Sequence, residues 1–327
     1  AAGEMRTRLR ALGVPNVAAR TFHAAALKQL MYFWPQVLGG RFPALLTTKT
    51  GFLGEALNRA NVSAVKNNAV LRDVAGEIEW AKVIGLAPDE YIKAVDDYSR
   101  PVRVSNNKVD ATQIARVYEA YESLKKQERA IDFEDVLLLT VGMLEEEREV
   151  RDRVRDQYRY FTVDEYQDVS PLQQRLLDLW IGKRDDICVV GDPAQTIYSF
   201  AGADARYLRE FTRAFPGATS VELVRNYRST PEVVAAANTL LAGTPSKGVD
   251  LVAQRPSGAR ITYREASDEV AEADAVAERV AALRAQGVPA SRMAVLLRIN
   301  AQSERFEEAL AARGLPYVVR GAARFFD

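Results

Sequence analysis

Hydrophobic positions in the first half of the chain recur at helical spacing. The apolar run at residues 22–34, FHAAALKQLMYFW, predicts a helix that ends at Pro35, and a short strand is expected just before it, at residues 17–21. From about residue 53 to residue 148, almost every segment predicts helix. One of these helices follows Asp110, whose side chain we expect to cap the amphipathic run that comes next.

The second half of the chain alternates short apolar runs with amphipathic ones. The expected strands are YRYFTVDE, DICVVGD, TSVELVRN, MAVLLRI and PYVVRG. The expected helices are SPLQQRLLDLWI with Ser170 as its cap, RYLREFTRAF, TPEVVAAANTLLA, an Ala-rich run from Asp268, and SERFEEALAARG. This alternation predicts parallel sheets covered by helices, which is an α/β fold.

The predicted organisation is an α/β domain that is interrupted by a helical insertion and followed by a second α/β domain. Residues 1–76 and 140–217 form the first α/β domain, residues 77–139 the all-helical insertion, and residues 218–327 the second α/β domain. A chain of 327 residues is long enough for two or three domains, because single hydrophobic cores usually stop growing below this size.

Composition narrows the possible functions. The formal net charge is zero, so any binding of nucleic acid must use local patches. No apolar stretch approaches the roughly 20 residues that cross a bilayer, which argues against a membrane partner. Cys188 is the single cysteine, which excludes an internal disulfide and fits a reducing cytosol, and its apolar surroundings predict a buried, inert thiol. With His23 as the single histidine, a zinc site is not expected.

Polar side chains follow three of the predicted strands. Asp164 and Glu165 follow one strand, Asp192 follows the next, and Asn226 with Arg228 ends a third. In open parallel sheets, ligands bind beyond the carboxyl ends of the strands. The sequence therefore predicts a ligand site at this edge of the sheet.

The adjacent carboxylates of Asp164 and Glu165, in VDEYQD, suit phosphate chemistry. A carboxylate after an apolar strand can hold Mg²⁺, usually through water, beside nucleotide phosphates. The next carboxylate can orient or deprotonate an attacking water. The same pair also fits a capping and salt-bridge cluster at a strand-to-helix turn, and the motif alone does not separate the two interpretations.

The stretch VVGDPAQTIYSFAGA adds an amide and two aromatic rings after the second strand. Gln195 can contact a terminal phosphate or position water. Tyr198 and Phe200 can form a stacking platform for unpaired bases. For this stretch taken alone, ordinary packing of the rings in the interior is the stronger interpretation.

The stretch VRNYRST places Arg225 and Arg228 around Tyr227. An arginine at a strand end near a domain boundary can reach phosphate oxygens across a cleft, and its planar fork suits them better than lysine. Tyr227 can stack on a nucleobase. A surface ion pair and a core tyrosine are the ordinary alternative.

In order and spacing, these segments resemble the UvrD/PcrA/Rep group of superfamily 1 DNA helicases. The matching motifs run over the whole chain and are AAGEM, TFH, DFEDVL, VDEYQD, VVGDPAQTIYSFAGA, NYRST and LLRINAQSERFEEAL. The details TFHAAALKQLMYFWP, GEIEWAKVIGLAPDEY and DPAQTIYSF are most similar to the second UvrD-type helicase of actinobacteria. The resemblance implies RecA-like P-loop NTPase motor domains with an all-helical insertion. The first motor domain would be incomplete, without its P-loop strand, and residues 218–327 would be the first half of the second.

The resemblance also implies a function and residue roles. The function is ATP-driven translocation along single-stranded DNA with 3′-to-5′ polarity, and strand separation at junctions of single- and double-stranded DNA. ATP would be the substrate and Mg²⁺ the cofactor, in a bacterial cytoplasm at the nucleoid. Asp164 would serve Mg²⁺ and Glu165 would be the general base. Gln195 and Arg228 would sense the terminal phosphate, and Tyr227 would stack on adenine.

A path for DNA follows from the same resemblance. Phe22, Tyr198 and Phe200 would face the bases. The remaining candidates for this path, from TFH and from a second-domain motif of less certain role, are His23, Asn300, Gln302 and Ser303.

The chain departs from the group beside these residues. It has Pro193 and Ala194 where the group often has acids, and Ser199 and Ala201 where arginines often flank the aromatic at Phe200. Two fewer cations predict weaker contact with phosphates and a shallower salt dependence of DNA binding.

The largest departure concerns the phosphate loop. No G-x-x-x-x-G-K-[ST] occurs in the chain, and IGKR has Leu177 where the first glycine belongs. In the group this loop precedes AAGEM and further motifs follow the second-domain strands, so we expect the sequence to be an internal, truncated piece of a helicase. A parallel sheet that lacks a central strand exposes strand edges, so pairing between copies is also expected.

Two other functions stay open at this point. One is a catalytically inactive, helicase-derived module that binds DNA or loads a clamp. The other is the motor part of a helicase-nuclease. The neighbouring gene sequence separates the three, because an upstream phosphate loop favours the helicase and a downstream nuclease motif favours the last.

We predict that the 327-residue chain by itself has no appreciable ATPase activity, because it lacks the loop lysine that clamps the phosphates. Phosphate release with saturating single-stranded DNA should equal that of the Glu165→Gln variant, which serves as the blank. A DNA-stimulated rate at the level of a helicase, lost in that variant, would contradict the prediction.

Overall fold

The computed structural model describes residues 2–14, 16–62, 68–102, 104, 109–244 and 247–319, without the side chain of Asn300. These residues fall into two compact units. Unit 1 is Ala1–Tyr227 with Val234–Ala253, and unit 2 is Arg228–Val233 with Gln254–Asp327. No helix in the described part of the chain has both the length and the apolar character that crossing a membrane requires.

Helices make up most of the described structure. They are α1 (Ala2–Ala11), α2 (Phe22–Val37), α3 (Thr50–Arg59), α4 (Asn68–Val83), α5 (Tyr91–Asp97), α6 (Ala111–Glu128), α7 (Phe133–Glu146), α8 (Arg148–Gln157), α9 (Pro171–Ile181), α10 (Arg206–Arg209), α11 (Phe211–Ala214), α12 (Pro231–Leu241), α13 (Glu269–Ala285) and α14 (Ser303–Ala312). The expected run of helices between residues 53 and 148 is confirmed.

The strands of the described residues form three parallel pairs. The pairs are β1 (Ala44–Leu45) with β2 (Ala130–Ile131), β3 (Phe161–Val163) with β4 (Ile187–Val189), and β5 (Arg225–Asn226) with β6 (Val252–Ala253). Parallel pairing among helices is what the alternating pattern predicted. The strands are two or three residues long, which is shorter than expected, and each has one partner strand among the described residues.

Local capping signals were predicted correctly. Asp110 and Gln113 bond reciprocally, with the Gln113 amide donating to Asp110 Oδ1 at 2.8 Å and the Asp110 amide donating to Gln113 Oε1 at 2.9 Å. Ser170 caps α9 in the same way, and Pro171 occupies the first helical position. Both boundaries depend on contacts within four residues, which a sequence can show.

The start and the end of α2 differ from the prediction. Residues 17–21 have no regular secondary structure instead of forming a strand, and within them the Ala19 amide donates to the Val17 carbonyl at 3.0 Å. The helix also continues through Pro35 to Val37. Proline lacks a backbone N–H to donate, and its ring crowds the carbonyl four residues before it. Because Pro35 lies in the last turn of α2, few helical hydrogen bonds follow it, and including it costs little stability.

Four further expectations are wrong for the described residues. The run RYLREFTRAF breaks at Glu210 into α10 and α11 instead of forming one helix. MAVLLRI, at residues 293–299, has no strand partner in the described structure. The part of PYVVRG that the structure describes, residues 316–319, has none either. Cys188 is exposed rather than buried, because side chains alternate along a strand and its neighbours Ile187 and Val189 are the ones that face the core.

Buried apolar side chains in the described part of unit 1 form two cores. The first lies between α2, α7, α8, α9 and β3, and it includes Leu30, Leu144 and Leu176 at 0% exposure. The second lies between α3, α4, α5 and α6 and runs from Leu53 to Leu124. Its first residue precedes the expected start of the helical insertion at residue 77, and the predicted domain division stays a prediction.

Unit 2 has a smaller core. It joins α13 to α14 through buried residues that are mostly alanine, namely Ala273, Ala277, Ala309, Leu310 and Leu315. Alanine allows the two helices to approach closely but buries little apolar area, so we expect unit 2 to be less stable than unit 1.

The side chain of Asp132, 0% exposed, connects three helices of unit 1. It caps α7 by accepting from the Asp135 amide at 2.9 Å. Its oxygens also accept from Lys82 of α4 at 2.8 and 2.9 Å, and from Lys125 of α6 at 3.1 Å. Burial by itself would raise the pKa of Asp132, but the two ammonium groups outweigh it and hold that pKa well below its usual range.

We predict that Asp132→Asn lowers the free energy of unfolding at pH 7 by about 3–5 kcal/mol, the cost of removing one partner from a buried ion pair. A carboxyl with a lowered folded pKa stabilises the fold fully above its ordinary pKa of about 3.9, and this stabilisation is lost progressively as the pH falls from that value toward the lowered folded pKa. Urea denaturation from pH 7 to pH 3 should therefore show a smaller acid loss in the variant than in the natural chain. Asp73→Asn, an exposed position on α4, is the control, and an equal effect there would refute the assignment.

Candidate functional site

Two of the predicted strand ends lie side by side. β3 and β4 are parallel neighbours with Phe161 opposite Ile187 and Val163 opposite Val189, so the residues that follow them share one edge. The ladder continues one step further, because the Tyr166 amide donates to the Val190 carbonyl at 2.9 Å. Asp164 and Asp192 therefore lie at the same edge, as the sequence predicted. β5, which ends at Asn226, pairs with β6 instead.

Glu165 has an unusual backbone conformation. Its φ of 53° and ψ of 44° lie in the left-handed region, which side chains other than glycine seldom adopt. Its amide donates to Asp164 Oδ1 at 3.1 Å, which supports the turn. Strain of this kind is common at functional sites, and here it presents two exposed carboxylates at the end of β3.

The side chain of Gln167 joins the two strand ends by hydrogen bonds. It is 1% exposed, and its Nε2 donates to Glu165 Oε2 at 2.8 Å while its Oε1 accepts from the Asp192 amide at 3.0 Å. Gly191 makes room for it, because a Cβ atom there would lie 2.6 Å from Gln167 Oε1. One amide thus fixes both the carboxylate of Glu165 and the backbone at the end of β4.

Asp192 extends this chain of hydrogen bonds to Gln195. Its Oδ1 accepts from the Ala194 amide at 2.9 Å, and its Oδ2 accepts from Gln195 Nε2 at 2.9 Å. Glu165, Gln167, Asp192 and Gln195 therefore form a continuous hydrogen-bonded set, here called the strand-end network. Three of these residues were predicted from the sequence. Gln167 was not, because its one available signal was an amide between two carboxylates in DEYQD.

Asp168 adds a second perturbed carboxyl beside the network. Its Oδ1 atom is buried and has no hydrogen-bond partner among the described residues. Burial raises the pKa of Asp168, and the nearby charge of Glu165 raises it further. Perturbed carboxyl groups of this kind cluster at functional sites more often than elsewhere.

The segment Tyr198–Gly202, here called the aromatic loop, begins three residues after Gln195. Tyr198 is 51% exposed and Phe200 is 67% exposed, with ring centroids 6.2 Å apart and planes tilted by 48°. Interior packing of these two rings, the stronger interpretation of the motif alone, is therefore wrong. The loop instead presents two aromatic faces to solvent.

The residues of the TFH motif are more enclosed. Phe22 stacks on Trp180 with centroids 5.9 Å apart and an interplanar angle of 6°, so part of its ring packs on the first core. The rings of His23 and Phe133 form a T-shaped pair with centroids 6.4 Å apart. Burial lowers the pKa of His23, and the charge of Lys49 lowers it further, so the imidazole is neutral at pH 7. Their predicted contact with DNA stays a prediction.

The remaining candidate residues lie after β5 and in unit 2. Tyr227 directly follows β5 in unit 1 and is 68% exposed. In unit 2, the carbonyl of Arg228 accepts from Arg255 Nη1 at 2.9 Å. Gln302 accepts from the Ile299 amide at 3.2 Å and so helps to close the turn before α14, which begins at Ser303. The side chain of Asn300 lies outside the described residues.

Three carboxylates of the described residues converge as metal ligands do, but at a different place. They belong to Glu122, Asp132 and Asp135. The ammonium groups of Lys82 and Lys125 lie among them and bond to all three. The two lysines thus supply the positive charge that a metal ion would otherwise bring, so we interpret this cluster as structural.

Comparison with known protein families identifies the chain. The model of the UvrD/REP helicase N-terminal domain matches residues 1–216, and that of the UvrD-like helicase C-terminal domain matches residues 221–327. The chain belongs to the UvrD/Rep helicase family. This membership confirms the predicted class of mixed α/β helicase domains and agrees with the parallel strand pairs.

Curated relatives cover the whole chain. The proteins called ATP-dependent DNA helicase UvrD2 from Mycobacterium tuberculosis and Mycobacterium bovis are 47% identical over 342 residues, which is 100% of this chain and 48% of theirs. ATP-dependent DNA helicase PcrA of Leuconostoc citreum is 32% identical over 338 residues, which is 100% of this chain and 43% of that protein. The expected similarity to the second UvrD-type helicase of actinobacteria is confirmed. The chain spans about half the length of the curated relatives it matches.

We predict that Gln167→Met, which keeps the volume but removes the amide, destabilises unit 1 by about 1–3 kcal/mol, because the Asp192 amide loses its buried partner. Urea denaturation followed by tryptophan fluorescence measures the change. The matched control is Gln157→Met, at the exposed end of α8. Equal losses in both variants would show that Gln167 does not join the strand ends.

Proposed function

We propose that this chain contributes the nucleotide-hydrolysing and DNA-tracking residues of an ATP-dependent DNA helicase that moves 3′ to 5′ along single-stranded DNA. The family membership and the names of the UvrD2 and PcrA relatives support the proposal. It places the protein in the cytoplasm, on single-stranded DNA and its junctions with duplex.

One observation carries the proposal. A single segment, residues 192–202, joins the strand-end network at one end and presents the aromatic loop at the other. Gln195 bonds to Asp192, and Tyr198 follows it after two residues. A motor that converts hydrolysis into movement needs a short connection between the group that senses phosphate and the group that contacts DNA, and this segment supplies one.

The strand-end network suits the hydrolytic step. Asp164 would hold Mg²⁺, since an exposed carboxylate at a strand end is the kind of ligand that this ion takes, usually together with water. Bound Mg²⁺ would neutralise charge on phosphate oxygens. Glu165 would act as the general base toward water, with Gln167 fixing one of its oxygens. Gln195 and Arg228 would contact the terminal phosphate.

The exposed aromatic rings would bind the two organic partners. Tyr227, 68% exposed, would stack on adenine. Tyr198 and Phe200 would stack on successive bases of single-stranded DNA, which is sequence-tolerant because every base has an aromatic face. Since Phe22 is partly occupied by Trp180, it would contribute less to this path than the aromatic loop.

We predict that Tyr198→Ala and Phe200→Ala each weaken binding of a labelled oligothymidine by roughly 5- to 150-fold, because stacking of one base on an aromatic side chain is worth about 1–3 kcal/mol. Fluorescence anisotropy at fixed ionic strength measures the affinity. Tyr160→Ala, which removes a ring that is 80% exposed ahead of β3, is the matched control.

The salt dependence of the same binding tests the chemistry of the loop. With Ser199 and Ala201 flanking Phe200, the loop itself offers no cation to phosphate. The alanine variants should therefore keep the slope of log K against log salt concentration of the natural chain. Unchanged affinity in both variants would refute the DNA-binding role of the loop.

A further inference from the structure

Arg100 is held tightly in the second core. Its Nε donates to Glu77 Oε2 at 2.9 Å and its Nη2 donates to Glu77 Oε1 at 3.1 Å, which is a bidentate pair. The guanidinium lies 4.2 Å from the ring centroid of Trp80, within cation–π distance. Tyr91 donates its hydroxyl to the same Glu77 at 2.8 Å, so the carboxylate that holds Arg100 is itself fixed.

The backbone that carries Arg100 is fixed as well. Ser99 adopts a φ of 48° where α5 ends, and the Arg100 amide returns to the Val95 carbonyl at 2.9 Å. This is a helix end closed by a left-handed residue. The side chain of Arg100 therefore starts from a defined backbone and ends in a defined pair.

One guanidinium nitrogen points away from this arrangement. Arg100 Nη1 donates to the backbone carbonyl of Phe200 at 3.1 Å, a contact between residues that are 100 positions apart. It connects the second core directly to the aromatic loop. The strand-end network and the family motifs do not include Arg100.

The aromatic loop has few other anchors at this end. Its two rings are more than half exposed, so side-chain packing does not hold it. Gly202, with a φ of 96°, lies against α4, and a Cβ atom there would lie 2.9 Å from Val83 Cγ1. The next backbone bond along the chain goes to the first core, where the Asp204 amide donates to the Val169 carbonyl at 3.0 Å. Gly202 and the Phe200 carbonyl are therefore the points at which the loop itself meets the helices of the second core.

We propose that Arg100 is a positioning residue for binding of single-stranded DNA. It ties the carbonyl of Phe200 to the Glu77 and Trp80 pair, so that the aromatic loop is preorganised for stacking and moves with α4 and the end of α5. The inference rests on the proposed DNA-binding function of the loop. Lysine cannot replace Arg100, because an ammonium lacks the planar fork that serves both Glu77 oxygens and a third acceptor.

The test uses the whole 327-residue chain and oligothymidine. Arg100→Lys keeps the charge and should weaken binding roughly 2- to 12-fold, which corresponds to the net free energy of one hydrogen bond. The pair Glu77→Gln with Arg100→Gln keeps the net charge without leaving a buried carboxylate unpaired, and it should weaken binding to a similar degree. Arg59→Lys, an ion-paired arginine on α3 of the same core, should have no effect.

A double-mutant cycle separates positioning from direct contact. In the Tyr198→Ala, Phe200→Ala background, Arg100→Lys should have no further effect on affinity, because it acts through those rings. The variant that carries Glu77→Gln with Arg100→Gln should keep the salt slope of binding of the natural chain. If Arg100 touched a phosphate, its loss in this variant would lower the slope by about one. An undiminished effect of Arg100→Lys in the alanine background would overturn the proposal.

Hydrogen exchange tests the anchor without DNA. The amides of Ala201, Gly202 and Ala203 bond within the loop, to the carbonyls of Tyr198 and Ser199. Arg100→Lys should speed their exchange several-fold and leave that of α9 unchanged, and equal exchange in variant and natural chain would refute the anchoring role. If the two alanine variants bind DNA normally while exchange at the loop still increases, the proposed function fails and the anchor stands.

Discussion

The carboxylate of Asp132 is the contact on which the two cores of unit 1 both depend. It starts α7, which packs in the first core, and it bonds to Lys82 and Lys125, which belong to helices of the second. Apolar packing holds each core, and this charged contact links the two. A buried carboxylate with two ammonium partners has one arrangement in which every group is satisfied. The aromatic loop lies on α4, so its position follows from this contact as well.

Local features of the fold were predictable from the sequence. The caps at Asp110 and Ser170, the helix-rich stretch and the parallel pairing of strands all follow from spacing and from contacts within a few residues. The acids after β3 and β4 were also predictable, because parallel neighbours end at the same edge. The separate roles of Asp164 and Glu165 were one interpretation of the motif, and the family resemblance, rather than spacing, favoured it over a capping and salt-bridge cluster.

Features that depend on distant partners could not be predicted. Gln167 looked like any amide in a turn, and its role appears once Gly191, on another strand end, is placed beside it. Arg100 meets Phe200 across 100 residues, a distance at which spacing carries no information. The exposure of Tyr198 and Phe200 has the same origin. An aromatic pair in the sequence is equally compatible with a core or a surface, and the backbone contacts of the loop decide which one is formed.

The outward position of Cys188 leaves its thiol open to oxidation. The thiol is exposed on β4, one residue before the end of that strand and four residues before Asp192. The chain has one cysteine, so it can form no internal disulfide and can join through sulfur to one other copy at most. For the 327-residue chain by itself, disulfide formation therefore stops at a covalent dimer, and that bond would lie on the strand that supports the network.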